Sequence, residues 1–119
     1  MVVLYHYTDE QGAAGIYETG IIYKSGRHNR DAFLGEGVYL TRLSPQTSKQ
    51  IIYQNNWDGR LPFPVIERHI REGRIDCVIT VHIPDHDPQL RQATDGDRDI
   101  FIYMGDIDLR RFNHNFEKF

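Results

Sequence analysis

The stretch Gly35-Glu36-Gly37-Val38-Tyr39-Leu40-Thr41 decides how the rest of the chain is read. It is a glycine-punctuated turn feeding a short strand of β-branched and aromatic residues. Gly35 and Gly37 permit backbone conformations closed to other residues and let a ligand come close to the main chain. Tyr39 follows at once, where a flat ring can form one wall of a small-molecule pocket. Taken alone, the stretch reads first as the start of a hairpin with a core tyrosine. What changes that reading is the company it keeps.

Toward the N-terminus, residues 2–8 alternate, with Val3, Tyr5 and Tyr7 on one face and Val2, Leu4, His6 and Thr8 on the other. That period of two predicts a strand with a histidine and a hydroxyl near its end. Asp9 suits an N-cap, residues 10–18 suit a short helix presenting Ala13, Ala14, Ile16 and Tyr17, and Gly20 suits its stop. Ile21-Ile22-Tyr23 is a brief strand, and residues 24–34 are a polar loop leading into the glycine turn.

Toward the C-terminus, Ser44-Pro45 predicts the start of a helix, serine at the N-cap and proline at the first helical position, running to Gln54 with Ile51 and Ile52 inward. Residues 57–64 are irregular. Residues 65–72 suit a second short helix ended by Gly73, and residues 74–83 are the strongest strand pattern in the chain. Residues 84–98 read as a long polar loop, of a length that usually carries function. Residues 99–104 and 107–112 are predicted strands. The order predicts an α+β domain built on small antiparallel sheets.

With 119 residues, 39% hydrophobic and 26% charged, the chain is long enough for one buried core and has a globular rather than a disordered composition. No apolar run is long enough to cross a bilayer, and residues 1–6 lack the pattern of a secretory signal. A net charge of −3 gives no general attraction to nucleic acid. The lone Cys77 cannot form an internal disulfide, which fits a reducing compartment. His82 and His86, with Asp85 and Asp87 nearby, are interrupted by Pro84 and lack a recognisable ligand spacing, so no metal site is expected.

Three polar groups on predicted strands stand out: His6, Tyr39 and Asp99. Each has an ordinary explanation, as a structural histidine, a core tyrosine and one solvated acid among Asp95, Asp97, Asp106 and Asp108. Together with their flanks they form a pattern. Leu4-Tyr5-His6-Tyr7-Thr8, Gly35-Glu36-Gly37-Val38-Tyr39-Leu40-Thr41 and Asp99-Ile100-Phe101-Ile102-Tyr103 resemble the three signature strands of the ADP-ribosyltransferase superfamily. The branch resembled is the histidine–tyrosine–acid one of diphtheria-type toxins and poly(ADP-ribose) polymerases. With aspartate as the acid, the chain is similar to the small HYD1-type domains of bacterial polymorphic toxins and to rifamycin-inactivating transferases. The resemblance covers nearly the whole chain, and its first two motifs are more specific than the third.

The resemblance implies a single domain over residues 1–119 with a split β-sandwich of two small antiparallel sheets and short flanking helices. It implies NAD as a substrate and no metal. Breaking the bond between nicotinamide and ribose builds positive charge on the sugar, as in glycoside hydrolysis, and a nearby carboxylate stabilises that charge. By resemblance Asp99 is that carboxylate. His6 and Thr8 would hydrogen-bond a ribose hydroxyl, Tyr39 would stack on nicotinamide, and the Tyr7 backbone would grip the carboxamide, with Gly37 letting the ligand approach. Thr47 falls at a family hydroxyl position and Gln50 at an aromatic one, with Tyr53 as a substitute ring one helical turn on. Aspartate in place of the polymerases' glutamate argues against polymer formation. The absence of Ser-x-Ser and Glu-x-Glu patterns argues against an arginine acceptor.

Arg27 and Arg30, in the Ser25-Gly26-Arg27-His28-Asn29-Arg30 loop, suit a diphosphate, although a solvated loop explains them equally. Arg91, Gln92 and Thr94 occupy the family's acceptor-recognition loop. The reading is thus a monomeric mono-ADP-ribosyltransferase acting on a protein or nucleic-acid acceptor, in the cytoplasm of the producing cell or of a target cell. A toxin role would bring an immunity protein as partner, and no membrane is implied. NAD glycohydrolysis, the RNA 2′-phosphotransferase branch and a non-catalytic NAD- or ADP-ribose-binding module are the alternatives.

Overall fold

The computed structural model describes residues 1–24, 36–56, 61–93 and 96–119. Gly35, Arg27, Arg30, Thr94 and residues 57–60 lie outside this set. The alternating pattern at the N-terminus forms β1 (Val2–Thr8). The strongest strand pattern forms β4 (Cys77–Ile83), antiparallel to β1 in a register that sets Leu4 against Val81 and Tyr7 against Val78. The strand starts three residues later than the pattern suggests, because residues 73–76 close a turn in which the Asp76 N–H reaches the Gly73 carbonyl at 3.2 Å.

Between these strands in sequence come α1 (Glu10–Thr19), β2 (Ile21–Ile22), β3 (Val38–Leu40), α2 (Lys49–Asn56) and α3 (Phe63–Arg71). Helix α1 starts where the sequence predicts: the Asp9 carboxylate accepts from the Gly12 N–H at 2.7 Å, and Gly20 closes the other end. Of the residues this helix presents, Ala13, Ala14, Ile16 and Tyr17, none is fully buried, and Tyr17 is 76% exposed. Helix α2 corrects its expected start. Residues 44–47 form a turn, with the Thr47 N–H on the Ser44 carbonyl at 2.9 Å, and the Ser48 hydroxyl accepts the Ile51 N–H at 3.3 Å. The inward face is therefore Ile52, Tyr53 and Asn55, and Ile51 is 53% exposed.

Four further strands complete the order. β5 (Leu90–Ala93) lies inside the expected polar loop and pairs antiparallel with β6 (Ile100–Tyr103). The expected strand at 107–112 is only β7 (Ile107–Asp108), after which Asp108 caps a 3-10 turn over Leu109–Arg111. A last strand with no sequence signal, β8 (His114–Lys118), pairs with β4. The sheets are β1-β4-β8, β3-β6-β5 and the small pair β2-β7. The domain is α+β with antiparallel sheets.

The central sheet is covered on both faces. Leu4, Ile79, Val81 and Ile83 meet Val38, Leu40, Phe101 and Tyr103 of the second sheet. On the opposite face Tyr7 and Val78 meet Ile52, Tyr53 and Ile66 of the helices and Ile75. Full burial of such a side chain contributes roughly 1.5–3 kcal/mol, so both packings hold the first strand in place. The two sheets touch through one backbone bridge, Tyr5 with Thr41, whose N–H and C=O groups exchange bonds at 2.8 and 3.0 Å.

Candidate active site

That bridge sets the geometry of the site. In an antiparallel pair the residues of a strand bond alternately to one side and the other. Tyr5 bonds to Thr41, so Tyr7 turns its N–H and C=O the same way, away from β4. Continued by two residues, the register would pair Tyr7 with Tyr39. The strands part instead, and among the described residues no strand partner takes the Tyr7 backbone on that side. The Tyr39 carbonyl, which would have been left facing the gap, is taken by His6 Nδ1 at 3.0 Å. A carbonyl drawn partly out of water gains from a donor, and here a side chain supplies it.

The parting opens a cavity of about 520 Å³, within the range of small-molecule sites. His6, Tyr7, Thr8 and Tyr39 all line it, together with Gln11, Gly12, Asn56 and Arg98. A carbonyl oxygen only accepts, so the proton of the neutral His6 ring sits on Nδ1 and Nε2 keeps its lone pair. Burial pulls the His6 pKa below its ordinary 6.5, against the smaller upward pull of the Tyr39 carbonyl. The ring is therefore neutral at pH 7 and offers the cavity an acceptor, suited to a hydroxyl. Thr8 is set by α1: a Cβ on Gly12 would collide with the Thr8 hydroxyl, so glycine is what lets this helix turn lie against the strand end. The Tyr7 ring is directed elsewhere, its hydroxyl on the Leu43 carbonyl at 2.7 Å and its ring 5.3 Å from Phe119.

The other predicted residues are placed differently. Arg98 and Ile100 line the cavity, and Asp99 between them does not. Its carboxylate accepts from the Arg42 N–H at 3.0 Å, from Arg42 Nε at 2.8 Å and from the Thr41 hydroxyl at 3.4 Å. Its main chain is clamped by Asn55, whose amide donates to the Asp99 carbonyl at 2.9 Å and accepts the Asp99 N–H at 2.6 Å. Gly37 lies off the cavity and packs on β6, where a Cβ would come within 2.6 Å of the Tyr103 carbonyl. Thr47 belongs to the turn before α2. Tyr53, the candidate second ring, is buried in the helix-side core with its hydroxyl on His69 Nδ1 at 2.5 Å. Arg91 and Gln92 stand exposed on β5.

Sequence reasoning missed Asn55, Asn56 and Arg98. Asn55 carried no motif, and its one signal is that a polar residue falls on the inward face of a helix beside Ile52. Among the described residues no three His, Cys, Asp or Glu side chains gather as a metal site, and no helix is long and apolar enough to cross a membrane. The Cys77 thiol is buried, and burial pushes its pKa up.

Residues 4–111 match a family model described as HYD1 signature containing ADP-ribosyltransferase. No curated protein and no solved structure matches the chain.

Proposed function

The chain belongs to the family of ADP-ribosyltransferases that carry the HYD1 signature, and from that membership we propose that it is a mono-ADP-ribosyltransferase using NAD. In this reading residues 1–119 are one domain. The two sheets that part at Tyr7 and Tyr39 are the halves of a split β-sandwich. The observation that carries the proposal is the His6–Tyr39 hydrogen bond at the mouth of the cavity. It joins the two specific motifs at the point where the main chain of Tyr7 is left to bind a ligand.

The residues then have definable tasks. Tyr7 presents an N–H and a C=O side by side, a match for a carboxamide, which has one acceptor and two donors. Tyr39 supplies ring area for a flat heterocycle. His6, held by Tyr39 in one tautomer, accepts from a sugar hydroxyl, with Thr8 beside it. Loss of nicotinamide leaves positive charge on the ribose, and an acceptor nucleophile from a protein or nucleic acid takes the ADP-ribosyl group. Asp99 is the carboxylate we assign to that charge. Its main chain stands at the cavity wall between two lining residues. Arg42, which holds the carboxylate together with Thr41, is more than half exposed. Action on the ribose requires the carboxylate to exchange those bonds for the developing charge. The family points to a toxin-like role, with an immunity protein as the partner to expect.

A second reading, a module that binds NAD or ADP-ribose without turnover, is favoured by one observation: the Asp99 carboxylate is engaged by Arg42 and Thr41 rather than by the cavity. Nicotinamide release from NAD, followed with and without cell lysate, tests both. Release only with lysate supports transfer, and release without it supports hydrolysis. Bound NAD with no release supports the binding module. Asp99→Ala should abolish release and spare binding, since a group acting on developing charge matters to the transition state. Tyr39→Ala should weaken binding by roughly three- to tenfold, the 0.5–1.5 kcal/mol of a stacked pair. Full activity in Asp99→Ala would remove Asp99 from the mechanism.

A further inference from the structure

Asp99 lies one residue before β6, just past the last pairs of its sheet, Leu40 with Phe101 and Ala93 with Ile100. Among the described residues no strand meets its main chain, and a side chain stands in for one. Asn55 Oδ1 accepts the Asp99 N–H at 2.6 Å, and Asn55 Nδ2 donates to the Asp99 carbonyl at 2.9 Å. A primary amide carries one acceptor and two donors, so one side chain can pair both main-chain groups of a residue, as a neighbouring strand would. Asn55 shares the buried face of α2 with Ile52 and Tyr53, and a buried amide costs stability unless it is bonded. Two holds therefore act on Asp99, and they differ in kind. The carboxylate is held by Arg42 and Thr41, through bonds it must exchange to act on the ribose. The main chain is held by Asn55, through bonds that do not involve the carboxylate. The second hold persists while the first is exchanged. It fixes the Cα about which the carboxylate turns, at the cavity wall between Arg98 and Ile100.

We propose that Asn55 is a positioning residue, which sets the main chain of Asp99 so that its carboxylate reaches the ribose. The inference rests on the NAD reading above and adds to it the residue that places the acid. Reaction rates are sensitive to misplacement of this kind, with roughly 1 Å costing about a hundredfold. The competing role is structural, the pairing of two main-chain groups beside the end of α2.

Nicotinamide release at saturating NAD in the presence of cell lysate, together with calorimetric NAD binding, separates these roles. Rates are expressed per NAD-binding molecule, so that unfolded chains are not counted. Asn55→Ala should slow release by about ten- to a hundredfold. It should leave NAD affinity unchanged, because the Asn55 side chain does not line the cavity and its carbonyl still accepts from Arg98. Ile66→Ala removes packing from the same helix-side core and leaves the Asn55 amide in place. It should melt below wild type and release nicotinamide at the wild-type rate. Equal rates in wild type and Asn55→Ala, or equal slowing in Asn55→Ala and Ile66→Ala, would overturn the proposal while the NAD reading stands. If Asn55→Ala does not fold, backbone hydrogen exchange of the wild-type chain decides. The Asp99 N–H should exchange as slowly as those of β6, and fast exchange would overturn the proposal. A wild-type chain that binds NAD and releases nothing would defeat it together with the transfer reading, and one that does not bind NAD would defeat the NAD reading as well.

Discussion

His6 has two jobs, and two substitutions divide them. Its Nδ1–H closes the gap between the sheets on the Tyr39 carbonyl at 3.0 Å, and its Nε2 remains an acceptor for the cavity. An asparagine amide nitrogen can sit close to where the Nδ1 donor does, and a glutamine amide oxygen close to where the Nε2 acceptor does. His6→Asn should therefore keep the donor to Tyr39 and lose the cavity acceptor. His6→Gln should do the reverse. Leaving a buried carbonyl without its donor costs roughly 1–3 kcal/mol, and one neutral hydrogen bond to a ligand is worth about 0.5–1.5 kcal/mol. For a domain of this size 1 kcal/mol moves the melting temperature by roughly 4 °C. His6→Gln should thus melt about 4–12 °C below wild type. His6→Asn should melt near wild type and bind ADP-ribose about three- to tenfold more weakly. Thermal unfolding followed by circular dichroism and calorimetric titration give the two numbers. If His6→Asn melts as low as His6→Gln and binds ADP-ribose like wild type, the division of labour is wrong, and His6 is only a core residue.

The same histidine makes stability depend on pH. Its folded pKa is below the unfolded 6.5, so below pH 6.5 the unfolded chain takes up a proton that the folded chain refuses. Its contribution is present above pH 6.5 and lost as the pH falls toward the folded value; melting between pH 7.5 and 5.5 should show a drop that is smaller in His6→Asn. On α1, Gly15→Ala should stabilise, by up to about 1 kcal/mol of helix propensity, because its Cβ meets nothing. Gly12→Ala should lower the melting temperature instead, the collision with the Thr8 hydroxyl costing about 1–3 kcal/mol. Asn55→Ala should cost roughly 2–4 kcal/mol in a urea titration, since it strips both the N–H and the C=O of Asp99 of their partner. A loss under 1 kcal/mol would mean that the clamp contributes little.

What could be read from the sequence was the part whose side chains repeat a buried pattern. Residues 2–8 read as a strand because apolar and aromatic residues recur on both of its faces, Leu4 and Tyr7 being buried on opposite sides, and α1 announces itself through Asp9 and Gly20. β5 and β8 were illegible for the opposite reason: they are edge strands with largely exposed residues such as Arg91, Gln92, Asn115 and Glu117, held by backbone pairing that no side chain advertises. The start of α2 was misread because a serine before a proline is as good a signal for the turn at 44–47 as for a helix cap. At the site, His6, Tyr7, Thr8 and Tyr39 come together as their motifs suggest. The direction of the Asp99 carboxylate was beyond reach, because it depends on Arg42, 57 residues earlier. Arg98 had no motif, only a place beside Asp99.

The seam between the sheets also says something about how little the cavity asks of the rest of the molecule. A binding site carved into a core costs the packing of every side chain that was removed to make room. Here the empty volume comes from two strands that stop pairing after Tyr5 and Thr41. What is given up is a few backbone hydrogen bonds, and the imidazole of His6 restores one of them. The hydrophobic clusters on either side of β1 are left whole. Tyr7, Ile22 and Leu40 belong both to the lining and to the buried clusters, but the polar lining residues Thr8, Gln11 and Asn56 belong to neither cluster, so changes at those three can alter what is bound while leaving the core intact.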